Sequence, residues 1–146
     1  MNIAIVFAGG VGKRMGQTDK PKQFLEIAGK PIIIHTLEKF EENPNINGIV
    51  IACLKEWIKY LEELIKKFNI TKVAKIVEGG ETGQLSIYKG IEAAHTLYPE
   101  NSIILIHDGV RPFINEDLIN KNIENVKKKR KCNIMCTDNR DICHNK

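Results

Sequence analysis

Glycines and basic residues crowd the stretch AGGVGKRMGQTDKPKQF, residues 8–24, directly after a short apolar run. Its glycines allow the backbone to wrap closely around a ligand with its N–H groups turned inward. Arg14 offers a planar fork to phosphate oxygens, and Lys22 offers a movable point charge. The stretch therefore predicts a phosphate-binding loop suited to a triphosphate whose charge shifts during a reaction, and a basic, solvated loop is the alternative.

Two common phosphate loops do not fit this stretch. In a P-loop, G-x-x-x-x-G-K-[ST], the G-K pair at 12–13 would put Phe7 at the first glycine and Arg14 at the Ser or Thr. In a dinucleotide fingerprint that begins at Gly10, Met15 takes the place of the third glycine. The loop therefore predicts neither a P-loop nucleotidase nor an NAD-binding module.

The elements that must position this loop alternate along the chain. Short runs rich in Ile and Val predict strands, most of them apolar enough for burial on both faces, over 2–8, 47–53, 72–77 and 102–107. Amphipathic patterns predict helices over 31–42, 55–68, 83–98 and 115–128. This alternation predicts an α/β fold with a doubly wound, mostly parallel, Rossmann-like sheet.

Three loops follow predicted strands and are expected to meet at one crevice. The first is the basic loop, the second is Glu78-Gly79-Gly80, and the third is His107-Asp108-Gly109. Ligands of doubly wound sheets bind at the carboxyl ends of the strands. We therefore expect the binding site there, with His107 as a buried, hydrogen-bonded histidine.

The string AGGVGKRMGQTDKPKQFLEIAGKPIIIHTLEKF, followed by EGGETGQLSIYKGI and IHDGVRPF, resembles the sugar- and polyol-phosphate cytidylyltransferases of isoprenoid and teichoic-acid synthesis. The resemblance covers roughly residues 3–126, with the three motifs in order. It implies a fold of the nucleotide-diphospho-sugar transferase type, and transfer of CMP from CTP to a polyol phosphate with release of pyrophosphate. LKEWIKYLEELIKKF and HDGVRPFI are more similar to the D-ribitol-5-phosphate branch, and 2-C-methyl-D-erythritol 4-phosphate is the alternative substrate.

The resemblance also implies roles for individual residues. Arg14 and Lys22 would be catalytic, holding the CTP phosphates, and Asp108 would be the ligand of a Mg²⁺ cofactor. A carboxylate suits Mg²⁺ among phosphates, and phosphoryl-group chemistry needs positioning and charge neutralisation more than a Ser, Cys or His nucleophile. The nucleotide-binding positions implied are Ala8, Gly9, Gly10, Gly12, Gly80, Ser86 and Arg111.

Two features depart from that family. Gly83 stands where members commonly carry an arginine. The last stretch, KKKRKCNIMCTDNRDICHNK, matches no pattern of the family and lacks a strand or helix period, whereas members continue with a dimerisation arm and a later lysine and aspartate. We expect a CTP-binding domain over 1–126, then an aberrant, disordered tail over 127–146 from a truncated or frame-shifted reading frame. A family-type homodimer would lack its arm, and an inactive CTP-binding fragment is the alternative for this chain.

The charge distribution argues against nucleic acid as a partner. From Lys127 onward there are seven basic and two acidic residues, which give this stretch a net charge of +5. Because the whole chain has a net charge of +4, the first 126 residues have a net charge of −1. A KKKRK targeting patch and a zinc group at Cys132, Cys136, Cys143 and His144 are the competing interpretations of the tail, although that spacing suits no common zinc site. No apolar run approaches the roughly 20 residues of a membrane helix. We expect a cytoplasmic protein with no membrane partner.

Overall fold

A computed structural model describes residues 1–9, 20–129 and 134–136 of the protein. These residues form a parallel sheet with helices on both faces. Short 3-10 turns lie at Lys22–Phe24 and Lys55–Trp57. The elements run in the order β1 (Asn2–Ala8), β2 (Glu26–Ile27), β3 (Lys30–Pro31), α1 (Ile32–Glu41), β4 (Gly48–Cys53), α2 (Ile58–Lys67), β5 (Val73–Glu78), α3 (Gly83–Leu97), β6 (Ile103–Asp108), α4 (Glu116–Lys129) and β7 (Ile134–Cys136).

Strand β1 lies at the centre of the main sheet. Within the described residues this sheet has the order β5-β4-β1-β6-β7, and its strands pair in parallel. The register puts Ala8 beside Cys53 of β4 and Phe7 beside Asp108 of β6. The predicted doubly wound, mostly parallel α/β fold is therefore confirmed, and the end of β1 lies between the ends of β4 and β6.

The alternation of side chains along β1 explains why its whole run is apolar. Ala4 and Val6 face one core cluster, together with apolar residues of α1, α2 and α4. Ile3 and Ile5 face a second cluster, which α3 covers. Because both faces of the strand are buried, both sets of positions favour apolar side chains.

The edge strand β5 differs from the expectation of burial on both faces. Ala74, Lys75 and Glu78 are exposed, whereas every residue of β4 is buried. Strand β5 pairs only with β4 among the described strands, so less of it is covered. The helix predicted over 55–68 also differs, because its first three residues form the 3-10 turn and α2 starts at Ile58.

The chain after Val126 contains more regular structure than its sequence indicated. Helix α4 continues to Lys129, and Ile134–Cys136 pairs in parallel with β6, placing Ile134 opposite Ile104. The end of α4 agrees with the helix predicted over 115–128, whereas the expectation of a disordered tail is wrong for Ile134–Cys136. The division into domains at 126 stays a prediction. Cys132, Cys143 and His144 lie outside the described residues, and within those residues no helix is long and apolar enough to cross a membrane.

Candidate nucleotide-binding site

Two glycines bring the ends of β1 and β5 together at the carboxyl edge of the sheet. A Cβ atom added to Gly9 would lie 2.7 Å from Oγ of Ser86 and 4.0 Å from Cα of Gly79. The backbone N–H of Gly79 donates to the carbonyl of Cys53, at the end of β4, over 2.7 Å. The ends of β1, β4 and β5 therefore lie close together. The loop after β6 is also tied to β1, because the N–H of Gly109 donates to the carbonyl of Phe7 over 3.0 Å. The described ends of the three predicted loops thus meet at one edge of the sheet.

Ser86 ties the glycine loop to the start of α3. It is fully buried, and its Oγ accepts a hydrogen bond from the backbone N–H of Gly80 (3.0 Å) and donates to the carbonyl of Thr82 (3.0 Å). The hydroxyl of Thr82 caps the helix by accepting from the N–H of Leu85. The positive end of the α3 dipole is thereby held beside the strand ends, where a bound anion would be stabilised.

Lys22 is carried by a 3-10 turn that is anchored to β1. Lys22 is exposed, whereas its neighbours Gln23 and Phe24 are buried. The Nε2 atom of Gln23 donates to the carbonyl of Ala8 over 2.7 Å. This bond fixes the turn at the end of the central strand and leaves the lysine side chain exposed at the edge of the crevice.

Asp108 ends β6 on the other side of β1. Its Oδ1 accepts from the N–H of Val110 (3.0 Å), and its Oδ2 lies 3.5 Å from Nε of Arg111, in a partly exposed ion pair. His107 is buried, and its Nε2 lies 2.9 Å from the carbonyl of Arg111, so the expectation of a hydrogen-bonded core histidine is confirmed. These contacts hold the Asp108 carboxylate in a bent, well-defined loop.

The comparisons with known proteins fit this geometry. Residues 2–145 match the family model described as 2-C-methyl-D-erythritol 4-phosphate cytidylyltransferase (IspD). The chain belongs to this cytidylyltransferase family. The match reaches beyond residue 126, into the stretch for which the sequence showed no pattern of the family.

Individual relatives are similar to the chain over most of its length. A protein of Vibrio parahaemolyticus named ribitol-5-phosphate cytidylyltransferase is 58% identical over 127 residues, covering 87% of this chain and 53% of the relative. A 2-C-methyl-D-erythritol 4-phosphate cytidylyltransferase of Clostridium novyi is 44% identical over 127 residues, covering 86% and 53%. The chain therefore spans about half the length of these curated relatives.

A solved structure shares the fold. The 4-diphosphocytidyl-2C-methyl-D-erythritol synthase of Anaerococcus prevotii superposes with a TM-score of 0.67 at 28% identity, over 86% of this chain and 50% of that chain. This likeness agrees with the parallel sheet and its flanking helices. It confirms the predicted class of fold for the described part of the chain.

The structure brings together the site residues that the cytidylyltransferase motifs predicted, as far as it describes them. Ala8, Gly9 and Gly80 lie with Ser86 at the sheet edge, and Lys22, Asp108 and Arg111 flank them. Ala8 and Ser86 are buried, and the Ala8 carbonyl and the Ser86 hydroxyl are bonded within the protein, so both residues hold the walls of the crevice in place. The predicted site residues Gly10, Gly12 and Arg14 lie outside the described residues.

Gly83, the family's arginine position, begins α3 in open space. A Cβ atom at Gly83 would meet nothing within 4 Å, and the residue is exposed. A methyl group would therefore fit at Gly83 without a close contact. With glycine at this position, the first turn of α3 carries no basic side chain there.

A single carboxylate at this position suits magnesium better than zinc. The described residues contain no group of three or more His, Cys, Asp or Glu side chains that could hold a metal. Mg²⁺ is commonly bound by one or two carboxylates together with water and substrate phosphates. The partly exposed Asp108 carboxylate, beside the strand ends, fits that requirement.

Cys53 is the described thiol nearest the glycine loop, and it is poorly suited to nucleophilic catalysis. Burial raises the pKa of this thiol to about 12, since it outweighs the lowering by the Leu54 backbone, and the charge of Glu56 raises the pKa slightly further. The thiol is therefore protonated near neutral pH, whereas the thiolate is the reactive form. The described site offers charge and backbone donors instead of a covalent nucleophile.

Sequence reasoning missed three side chains that hold the crevice in place. The hydroxyl of Thr36 on α1 donates to the carbonyl of Gly109 (2.9 Å), and Nζ of Lys89 lies 3.3 Å from the carbonyl of Gly79. Gln23 makes the bond to β1 described above. The contacts of Thr36 and Gln23 join residues distant in sequence, so no local spacing signals them. Gln23 gives only a weak signal in the sequence, which is that a polar residue stands between Lys22 and a buried aromatic residue.

Proposed function

We propose that this chain binds CTP and forms the nucleotide-binding part of an enzyme that transfers CMP to D-ribitol 5-phosphate. The observation that carries the proposal is the convergence of glycine-lined strand ends with the Lys22 turn on one side and the Asp108 carboxylate on the other. The family assignment supports cytidylyl transfer, and the higher identity to the Vibrio parahaemolyticus relative supports the ribitol substrate. With 2-C-methyl-D-erythritol 4-phosphate as substrate, the chemistry would be the same.

The proposed reaction is a substitution at the α-phosphorus of CTP. A phosphate oxygen of the polyol phosphate attacks this phosphorus, the bond to the β-phosphate oxygen breaks, and pyrophosphate leaves with the electron pair. Lys22, and with it Arg14, would neutralise the charge that builds on the phosphates, while backbone N–H groups of the glycine loops orient the nucleotide. Asp108 would hold Mg²⁺, which supplies further positive charge at the phosphates when bound.

This activity carries further proposals. CTP is a cytoplasmic metabolite, so we place the protein in the cytoplasm, in teichoic-acid synthesis with the ribitol substrate or in isoprenoid synthesis with the methylerythritol substrate. A homodimer of the family type belongs to the same proposal. Neither a nucleic-acid nor a membrane partner is required by this chemistry.

The experiment compares Lys22→Ala with Lys39→Ala, which removes the same charge from an exposed position on α1. CTP affinity is measured by titration calorimetry in MgCl₂, and pyrophosphate release is measured with each polyol phosphate. A charge-assisted hydrogen bond contributes about 1.5–3 kcal/mol, so we expect Lys22→Ala to bind CTP about ten- to a hundredfold more weakly and Lys39→Ala to bind normally. Equal CTP affinity in Lys22→Ala and the unsubstituted chain would contradict the assignment.

A further inference from the structure

An aromatic cluster, defined as Phe24, Trp57 and Tyr60, packs against the turn that carries Lys22. The ring of Phe24 stacks on Trp57, with centroids 4.9 Å apart and planes at 21°, and meets Tyr60 edge-on at 5.4 Å. Trp57 and Tyr60 are 5.6 Å apart in an edge-on arrangement. The cluster therefore links the Lys22 turn to the start of α2, with 33 positions between Phe24 and Trp57.

The Lys22 turn is held by hydrogen bonds and by ring packing. Within the turn, Gln23 is tied to β1 by its bond to the carbonyl of Ala8. After the turn, the carbonyl of Leu25 accepts from the N–H of Ile32 over 2.9 Å. On the side of α2, Phe24 is fully buried and its ring packs on the other two rings of the aromatic cluster. The hydrogen bonds fix the backbone of the turn, and the ring packing fixes its tilt toward α2, and with it the direction in which Lys22 leaves the backbone.

The cluster also reaches the residue two positions before Lys22. The Nζ atom of Lys20 lies over the ring of Tyr60, 5.5 Å from its centroid. This contact is a cation–π geometry, in which the ring face attracts the ammonium group. Both lysines that flank Pro21 are therefore placed by contacts that lead back to the same three rings.

We propose that Trp57 is a positioning residue for nucleotide binding, which sets the orientation of the Lys22 turn through its stacking on Phe24. This inference rests on the proposed CTP site and adds a residue that does not itself touch the nucleotide. Packing between two aromatic rings favours the packed arrangement about two- to tenfold, in addition to the effect of burying the rings. Losing it lets the turn populate other orientations, and the apparent affinity falls by the fraction that remains competent.

The test uses Trp57→Leu, which keeps apolar bulk but removes the ring, and Trp57→Phe, which restores a ring. Phe68→Leu is the matched control, because Phe68 is also half-buried against the core beside α2, while its ring faces Lys30 and Lys67. CTP affinity is measured by calorimetry in MgCl₂ on the full chain, at a temperature where each variant is folded. We expect about two- to tenfold weaker binding for Trp57→Leu, and near-normal binding for Trp57→Phe and Phe68→Leu.

A double-mutant cycle separates positioning from general loosening of the structure. If Trp57 acts through Lys22, Trp57→Leu has no further effect on CTP affinity when Lys22→Ala is already present. An equal loss in both backgrounds, or normal binding by Trp57→Leu alone, overturns the inference while leaving the CTP site intact. Failure of the unsubstituted chain to bind CTP, or normal binding by Lys22→Ala, would instead overturn the proposed function and the inference together.

Discussion

Adding one methyl group at Gly9 tests whether the ends of β1 and β5 meet α3 as closely as the structure shows. The Cβ atom of Gly9→Ala would lie 2.7 Å from Oγ of Ser86 but 3.6 Å from its Cβ. The clash is therefore with the hydroxyl alone, and rotation of that hydroxyl relieves it. Rotation also breaks the bonds of Ser86 to Gly80 and Thr82, which lie on either side of the glycine loop.

The cost of the clash follows from those hydrogen bonds. Breaking a buried hydrogen bond and leaving a backbone N–H unpaired costs about 1–2 kcal/mol. We expect Gly9→Ala to lower the free energy of unfolding by about that amount. Ser86→Ala removes the hydroxyl outright and should cost about 1–2 kcal/mol for the same reason. With the hydroxyl gone, the new methyl group of Gly9→Ala contacts only a Cβ atom at an ordinary distance.

The free energy of unfolding of the double variant should therefore lie within a few tenths of a kcal/mol of that of Ser86→Ala. The two substitutions are then coupled by about 1–2 kcal/mol, because their separate losses do not add. Urea unfolding measures this, with the fluorescence of Trp57, the one tryptophan of the chain, as the probe. Gly83→Ala is the control because its methyl group meets nothing within 4 Å, so its effect should add to that of Ser86→Ala. Additive losses from Gly9→Ala and Ser86→Ala would refute the close approach.

Further changes test the packing of α3 and the connection after α2. Gly90→Ala should cost about 1–3 kcal/mol in urea unfolding, because its Cβ would lie 2.6 Å from Cγ2 of Ile5, whereas Gly83→Ala on the same helix should gain about 0.4–1 kcal/mol. Burial by itself raises the pKa of Glu41, but hydrogen bonds from Thr71 and Lys72 and the charge of Lys72 outweigh it, so the folded-state pKa is lowered from its ordinary 4.5. The stability that Glu41 contributes is thus complete above pH 4.5 and is lost as the pH falls through the lowered value. Glu41→Gln should therefore lose about 1–2 kcal/mol at neutral pH and little in acid, and a similar loss in exposed Glu42→Gln would contradict this.

The sheet could be predicted from the sequence because burial on both faces leaves a local trace. The runs that became β1, β4 and β6 are mostly apolar, with polar residues only at a strand end, and were placed to within about a residue. Strand β7 could not be found in this way. It has only three residues, and its place is defined by pairing with β6 rather than by a period of its own.

The sequence predicted those site positions that a single residue type in a motif marks. It did not predict the contacts that two residues distant in sequence make. Gly9 and Gly80 were implied by the cytidylyltransferase motifs, and the structure shows why glycine stands there, since a Cβ atom would collide with Ser86 at the first and with Leu85 at the second. The bond from Thr36 to Gly109 spans 73 positions, and the stacking of Trp57 on Phe24 spans 33. The helical period over 55–68 indicates that Trp57 packs on the core, but it gives no sign of the ring that Trp57 meets.

The two walls of the site depend on different forces, so substitutions in them should have different effects on stability and on binding. The wall formed by Gly9, Gly79 and Ser86 is fixed by backbone contact and part-buried hydrogen bonds, so a substitution there should change the stability of the fold as well as the proposed binding. The Lys22 wall depends on the hydrogen bonds of its turn and on ring packing against α2. If the chain binds CTP as we propose, changes in the aromatic cluster should alter that affinity while the sheet stays intact. Affinity should accordingly be adjustable from the α2 side, and the glycine wall should tolerate little substitution.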